Sequence, residues 1–168
     1  MSLEELAVVR QLLAGLVTGE ARSLEDFRTS YDEAGKAFGL PEGVTVTPVS
    51  AGGVPGEWLA PAAGAGKRVL LYLHGGGYAL GSLDSHRHLA AHTALALNGR
   101  VLLIDYRRSP EHPFPAAVDD ALAAYRWLTE TGVDPAKLAV AGDSAGGGLT
   151  VAVLLAARDA GLRLPAAA

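Results

Sequence analysis

Lys137-Leu138-Ala139-Val140-Ala141-Gly142-Asp143-Ser144-Ala145-Gly146 is the stretch on which the fold turns. A short apolar run leads straight into Gly-x-Ser-x-Gly, and a helix-compatible segment follows, so the spacing predicts strand, sharp turn and helix. A serine on such a turn stands clear of the sheet, with its hydroxyl open to an incoming carbonyl. The flanking glycines are a steric requirement: a Cβ at Gly142 or Gly146 would strike the neighbouring backbone where the chain reverses. The same arrangement recurs upstream, where the run Arg68-Val69-Leu70-Leu71-Tyr72-Leu73 ends in His74-Gly75-Gly76-Gly77. Together the two motifs predict an acyl-transfer site.

Working outward, a third run, Arg100-Val101-Leu102-Leu103-Ile104, is as continuously apolar as the other two. Strands buried on both faces read this way, and they belong to parallel sheets covered by helices. Helix-compatible segments at about 84–98, 116–130 and 145–160 give a β-α-β-α-β-α order and an α/β fold class. Open sheets of this kind carry their ligands at the carboxyl ends of the strands, where both motifs fall. Before the sheet, Leu3, Leu6, Val9, Leu13, Leu16 and Val17 recur near helical spacing, and Ser23-Leu24-Glu25-Asp26 opens a second amphipathic helix running to about Phe38. From Gly43 the period becomes two, with Val44, Val46 and Pro48 alternating with threonines. Trp58-Leu59 follows the turn-forming Gly52-Gly53-Val54-Pro55-Gly56, which predicts a short antiparallel pair. Two regions result, residues 1–40 and residues 41–168.

Composition narrows the function. The 168 residues are 49% apolar and 19% charged, with a net charge of -4, a pI near 5.7 and a mean hydropathy of +0.23. There is no basic footprint for nucleic acid and no polybasic patch for anionic lipid. The absence of cysteine excludes a thiolate nucleophile and thiolate metal sites. No run reaches the roughly 18 uninterrupted apolar residues of a membrane span. Acidic residues open the chain where a secretory leader carries Lys or Arg, so a cytoplasmic location is expected.

Glycines bring backbone N–H groups close to a ligand, and N–H groups aimed at a tetrahedral oxyanion lower its energy. Gly76, Gly77 and Ala145 are the expected donors, Ala145 at a helix N-terminus with a favourable dipole. His74 ends a strand, so a hydrogen bond holding the glycine turn suits it better than general-base work. Asp143 adjoins Ser144 at a turn where neighbouring side chains diverge, which gives it a structural hydrogen bond instead of a triad role. Gly142 and Gly147 have phosphate-loop spacing, but Gly148-Leu149 stands where Lys-Ser/Thr is needed; Gly75-x-Gly77 finds Leu80 in place of a third glycine. His88 and His92 lie four apart but Leu89 replaces the glutamate of a zinc-protease helix, so packing or surface roles are expected. His86 and His112 read as hydrogen-bonded structural histidines. Pro110, Pro113 and Pro115 stiffen a loop before the helix at Ala116, Glu111 is solvated or braces that loop, and Trp58 and Trp127 belong to the core.

His74-Gly75-Gly76-Gly77, Asp105-Tyr106-Arg107 continuing to Pro110-Glu111-His112-Pro113-Phe114-Pro115-Ala116-Ala117, and Gly142-Asp143-Ser144-Ala145-Gly146-Gly147 resemble, in order and spacing, the hormone-sensitive-lipase-like esterases of the α/β hydrolase superfamily. The resemblance runs from about Leu70 onward, with the two N-terminal helices similar to the family's cap. It implies Ser144 as nucleophile and the Gly76, Gly77 and Ala145 amides as oxyanion hole, with His74, Gly75, Asp143, Gly142 and Gly146 in support. No metal or organic cofactor is implied, and the substrate is a short to medium acyl ester. It also implies an acid and a histidine on later strands; residues 145–168 contain no histidine, and an α/β hydrolase fold truncated after the nucleophile helix is expected. Arg108-Ser109 departs from the family's Leu-Ala, which bears on how that loop packs. A non-catalytic ligand-binding protein, as the plant gibberellin receptors are, or an inactive fragment on the same scaffold is the alternative. The strand at 137–141 is expected to form an open edge. Together with Leu149, Val151, Val153, Leu154 or Leu155 exposed on the last helix, that edge would favour self-association.

Overall fold

The computed structural model describes residues 2–17 and 23–168. Helices α1 (Leu3–Val17) and α2 (Leu24–Lys36) precede a hairpin of β1 (Val44–Ala51) and β2 (Val54–Pro61). Then follow β3 (Val69–Leu73), α3 (Leu83–Leu97), β4 (Arg100–Ile104), α4 (Ala116–Glu130), a 3-10 turn at Pro135–Lys137, β5 (Leu138–Gly142) and α5 (Ala145–Asp159). The sheet order is β1-β2-β4-β3-β5. β3 lies between β4 and β5 and is parallel to both, while β2 joins antiparallel to β4.

Alternation along the buried strands divides the core in two. Leu71, Leu73, Leu102, Ile104, Leu138 and Val140 face α4 and α5. Leu70, Tyr72, Val101 and Leu103 face Ala90, Ala91 and Ala94 of α3. β3 is buried at all five positions, as its unbroken apolar run requires. α2 packs on the outer side of α3, where Gly35 lets the helices meet closely: a Cβ there would lie within 2.7 Å of three Ser85 backbone atoms. Both helices begin with capping boxes, Ser23 with Asp26 and Ser82 with Ser85, each satisfying N–H groups that a helix start leaves open.

Five expectations need correction. Along β1 the inward face passes from Val44 and Val46 to Val49 and Ala51, leaving Pro48 exposed; the twisted hairpin uses opposite faces at its two ends, Val44 and Val46 toward α3, Val49 and Ala51 toward α4. In α1, Leu3 and Val9 are exposed, so the apolar stripe is not buried there; the side chains of Leu13, Leu16 and Val17 lie outside the described residues. On α5, Leu149 and Val153 are fully buried against the sheet, while Val151 and Leu155 are exposed. The outer edge of β5 is partly occupied, because the Val140 N–H donates to Ala167 O at 3.1 Å and the Ala166 N–H to Leu138 O at 2.9 Å. Trp58 and Trp127 are only half-buried, and they pack on each other at the rim of the core.

Candidate active site

Because β3 and β5 are adjacent, with Leu73 opposite Gly142, the two glycine motifs leave the sheet side by side at its carboxyl edge. Ser144 has φ 50° and ψ -117°, an arrangement that L-residues avoid and that costs about 1–3 kcal/mol. The turn is this tight because Gly142 and Gly146 are crowded: a Cβ on either would collide with the Leu73 carbonyl. Ser144 is exposed and caps α5 without a side-chain hydrogen bond. Among the described residues its Oγ has no partner, and neither do the N–H groups of Gly76, Gly77 and Ala145. These are three free donors and one free hydroxyl at a single strand edge.

Asp143 fastens one motif to the other. Its Oδ1 accepts the Gly75 N–H at 2.9 Å and the Tyr72 hydroxyl at 3.1 Å. His74 is fully buried, stacks on Tyr106 with centroids 4.1 Å apart, and directs Nδ1 to Gly75 O at 2.8 Å. The Tyr106 hydroxyl donates to His74 O at 2.7 Å. Burial pushes His74 down to about 4, against the smaller upward pull of the Gly75 carbonyl. The other ring nitrogen, Nε2, is buried without a partner, and among the described residues His74 makes no hydrogen bond to Ser144. His88 stacks on Phe38 at 4.7 Å, a packing contact.

Arg28, on α2, was not legible as a site residue. Its guanidinium donates to Ala79 O at 2.8 Å, to Ser109 O at 3.0 Å, and through two nitrogens to Glu111 at 2.7 Å each. Glu111 braces its loop in this way, and Arg28 holds it down to about 2. Arg108 and Ser109 also fit: Arg108 donates to Gly81 O and the Ser109 N–H to Tyr78 O at 2.8 Å. Tyr72 and Tyr106 were missed as well. Their signal is a tyrosine at or just past the end of a buried strand, where the hydroxyl must find a partner. Beside the glycine loop, a cleft of about 270 Å³ is lined by Tyr78, His112, Phe114, Val118 and Ala152 among others.

This fold and edge define a hydrolase scaffold, and the chain belongs to the alpha/beta hydrolase fold family, whose profile matches residues 70–168. Within it the likeness is to bacterial esterases of the hormone-sensitive lipase type. A crystal structure of one superposes with a TM-score of 0.93 at 41% identity, over 98% of this chain and 56% of that one. An acetyl-hydrolase of Streptomyces hygroscopicus is 51% identical over 100% of this chain and 56% of its own length. A carboxylesterase of Mycobacterium tuberculosis is 47% identical over 55% of this chain and 30% of its own. The chain thus spans little more than half the length of the relatives it matches along its whole extent. No helix among the described residues is long and apolar enough to cross a membrane.

Proposed function

We propose that these residues form the nucleophile and oxyanion side of a serine carboxylic ester hydrolase. The observation that carries this is the exposed, strained Ser144 beside three unpaired N–H donors. Ser144 Oγ adds to the ester carbonyl, the bond to the alkoxide breaks, and the acyl group remains on Ser144 until water releases it. The N–H groups of Gly76, Gly77 and Ala145 hold the oxyanion, each contributing about 3 kcal/mol to lowering the barrier. A base takes the proton of Ser144 and passes it to the departing alkoxide, which leaves as the alcohol. None of the five histidines hydrogen-bonds Ser144 among the described residues, and this reading assigns the base to none of them. The apolar lining of the cleft beside Tyr78 suits a short to medium acyl or alkyl group. An acetyl-hydrolase and a carboxylesterase among the relatives agree with that class.

Fluorophosphonate labelling followed by peptide mass analysis tests the proposal. The adduct is expected on the peptide carrying Ser144, slowly in the 168-residue chain and rapidly in a longer chain that supplies the base, and Ser144→Ala removes it. A longer chain that binds an ester but leaves Ser144 unlabelled would favour a non-catalytic binding protein on the same scaffold.

A further inference from the structure

His86 has no part in the scheme above, yet it is buried beside it, at 5% exposure in the first turn of α3. Its Nε2 lies 3.3 Å from Asp143 Oδ1, the oxygen that also takes the Gly75 amide and the Tyr72 hydroxyl. Its Nδ1 lies 2.8 Å from Ser85 Oγ. The Gly75 N–H stands between two acceptors, Asp143 Oδ1 at 2.9 Å and His86 Nε2 at 3.4 Å, and the shorter contact to a carboxylate takes it. His86 Nε2 therefore faces a carboxylate oxygen with no donor of its own to accept. A lone pair at that position would be repelled, whereas a hydrogen completes a charge-assisted bond.

The other nitrogen must then accept, and Ser85 supplies the hydrogen. Its hydroxyl could instead donate to Ser82 O at 3.0 Å, but that carbonyl belongs to the N-cap of α3 and accepts the first bond of the helix in any case. Ser85 Oγ also receives the Ser82 N–H at 2.8 Å, which orients it. Rings of Tyr31, Tyr72 and His74 surround the imidazole at centroid distances of 6.0, 6.3 and 5.5 Å, and burial keeps His86 below the ordinary histidine range.

We infer that His86 is a positioning residue: Ser85 selects its Nε2–H tautomer, and that hydrogen fixes the Asp143 carboxylate that holds Gly75 at the head of the glycine loop. Its bearing on catalysis rests on the oxyanion reading above; its geometry does not.

Two-bond proton–nitrogen NMR on the 15N-histidine-labelled chain decides the tautomer, and the Nε2–H pattern is expected for His86. Ser85→Ala should replace it with a mixture or with the Nδ1–H form. In His86→Leu, hydrogen exchange at the Gly75 amide should speed up at least about tenfold, as expected when a local bond is lost, and the Gly76 and Gly77 resonances should move. His86→Gln, whose amide can still donate to Asp143, should restore most of both. An Nδ1–H imidazole in the unsubstituted chain, or a Gly75 amide indifferent to both substitutions, would overturn the inference. If His86→Leu does not fold, the tautomer in the unsubstituted and Ser85→Ala chains still decides. None of these readouts needs ester turnover, so a failure of Ser144 labelling and a failure here are separate results.

Discussion

The two glycine motifs sit side by side, and while Gly75 and Gly76 are crowded, against Asp143 and the Leu80 carbonyl, the elbow and the tip of the loop need glycine for opposite reasons. Gly142 and Gly146 lack space: a Cβ would run into the Leu73 carbonyl, and for Gly146 into His74 O as well. Gly77 has open space around its missing Cβ but sits at φ +62°, in the left-handed region that costs an L-residue roughly 1–2 kcal/mol. The elbow is a packing constraint and the loop tip a backbone constraint. Identical letters in the sequence therefore conceal very different tolerances to mutation.

The sharpest way to break this comparison is Gly146→Ala. Backbone cannot move aside as a flexible side chain can, so the variant should lose more than about 4 kcal/mol and fail to give a cooperative melt by circular dichroism. A melt near that of the parent chain would show that the elbow can relax and that crowding is not its reason for glycine.

His74 belongs to the crowded side, and its protonation tests how closed that side is. Its value falls from an ordinary 6.5 to about 4 in the fold, so the unfolded chain takes up a proton as pH drops through 6.5 while the folded chain does so only near 4. Its contribution is intact above 6.5, is lost on acidification between those values, and amounts to about 3 kcal/mol. Urea melts from pH 7 to pH 4 should show this slope, and His74→Asn should reduce it. An equal slope in both proteins would mean that His74 takes up its proton in place.

Ser144 is the non-glycine residue at the most constrained point of the elbow. Ser144→Gly should stabilise the chain by about 2 kcal/mol by releasing the strain at φ 50°, while abolishing fluorophosphonate labelling. A loss of stability would refute the claim of stored strain. The smallest effect belongs to Gly77→Ala, where only φ resists: about 1 kcal/mol of lost stability in a thermal melt, with the fold retained. A loss as large as that of Gly146→Ala would erase the distinction between the elbow and the loop tip.

Most of the layer architecture could be read from local pattern. The apolar runs at 68–73, 100–104 and 137–141 read as strands covered on both faces, and β3 is just that, whereas β5, outside it in the sheet, buries only Leu138 and Val140. The predicted bounds of α4 match Ala116–Glu130, because Pro115 and the turn after Glu130 punctuate it. The site's two glycine segments were legible because steric demand writes itself into local sequence. The contacts that brace them were not. Arg28 meets Glu111 across 83 residues and Ser82 meets Asp32 across 50, and no periodicity carries a pairing of that range. The phase change at Pro48 was hidden for a similar reason, since which face of β1 is inward depends on the sheet twist and on the helices either side.

Arg28 also bears on folding kinetics. Its bonds to Ala79, Ser109 and Glu111 close chain loops of 51 to 83 residues, among the costliest kind in entropy and the slowest kind to form. One guanidinium ties both loops at the carboxyl edge to a helix made before the first strand. The loops can reach their bonded arrangement only after α2 has docked. A lysine at position 28, a point charge without the planar fork, could not hold all three acceptors at once, and would leave that last step of assembly incomplete.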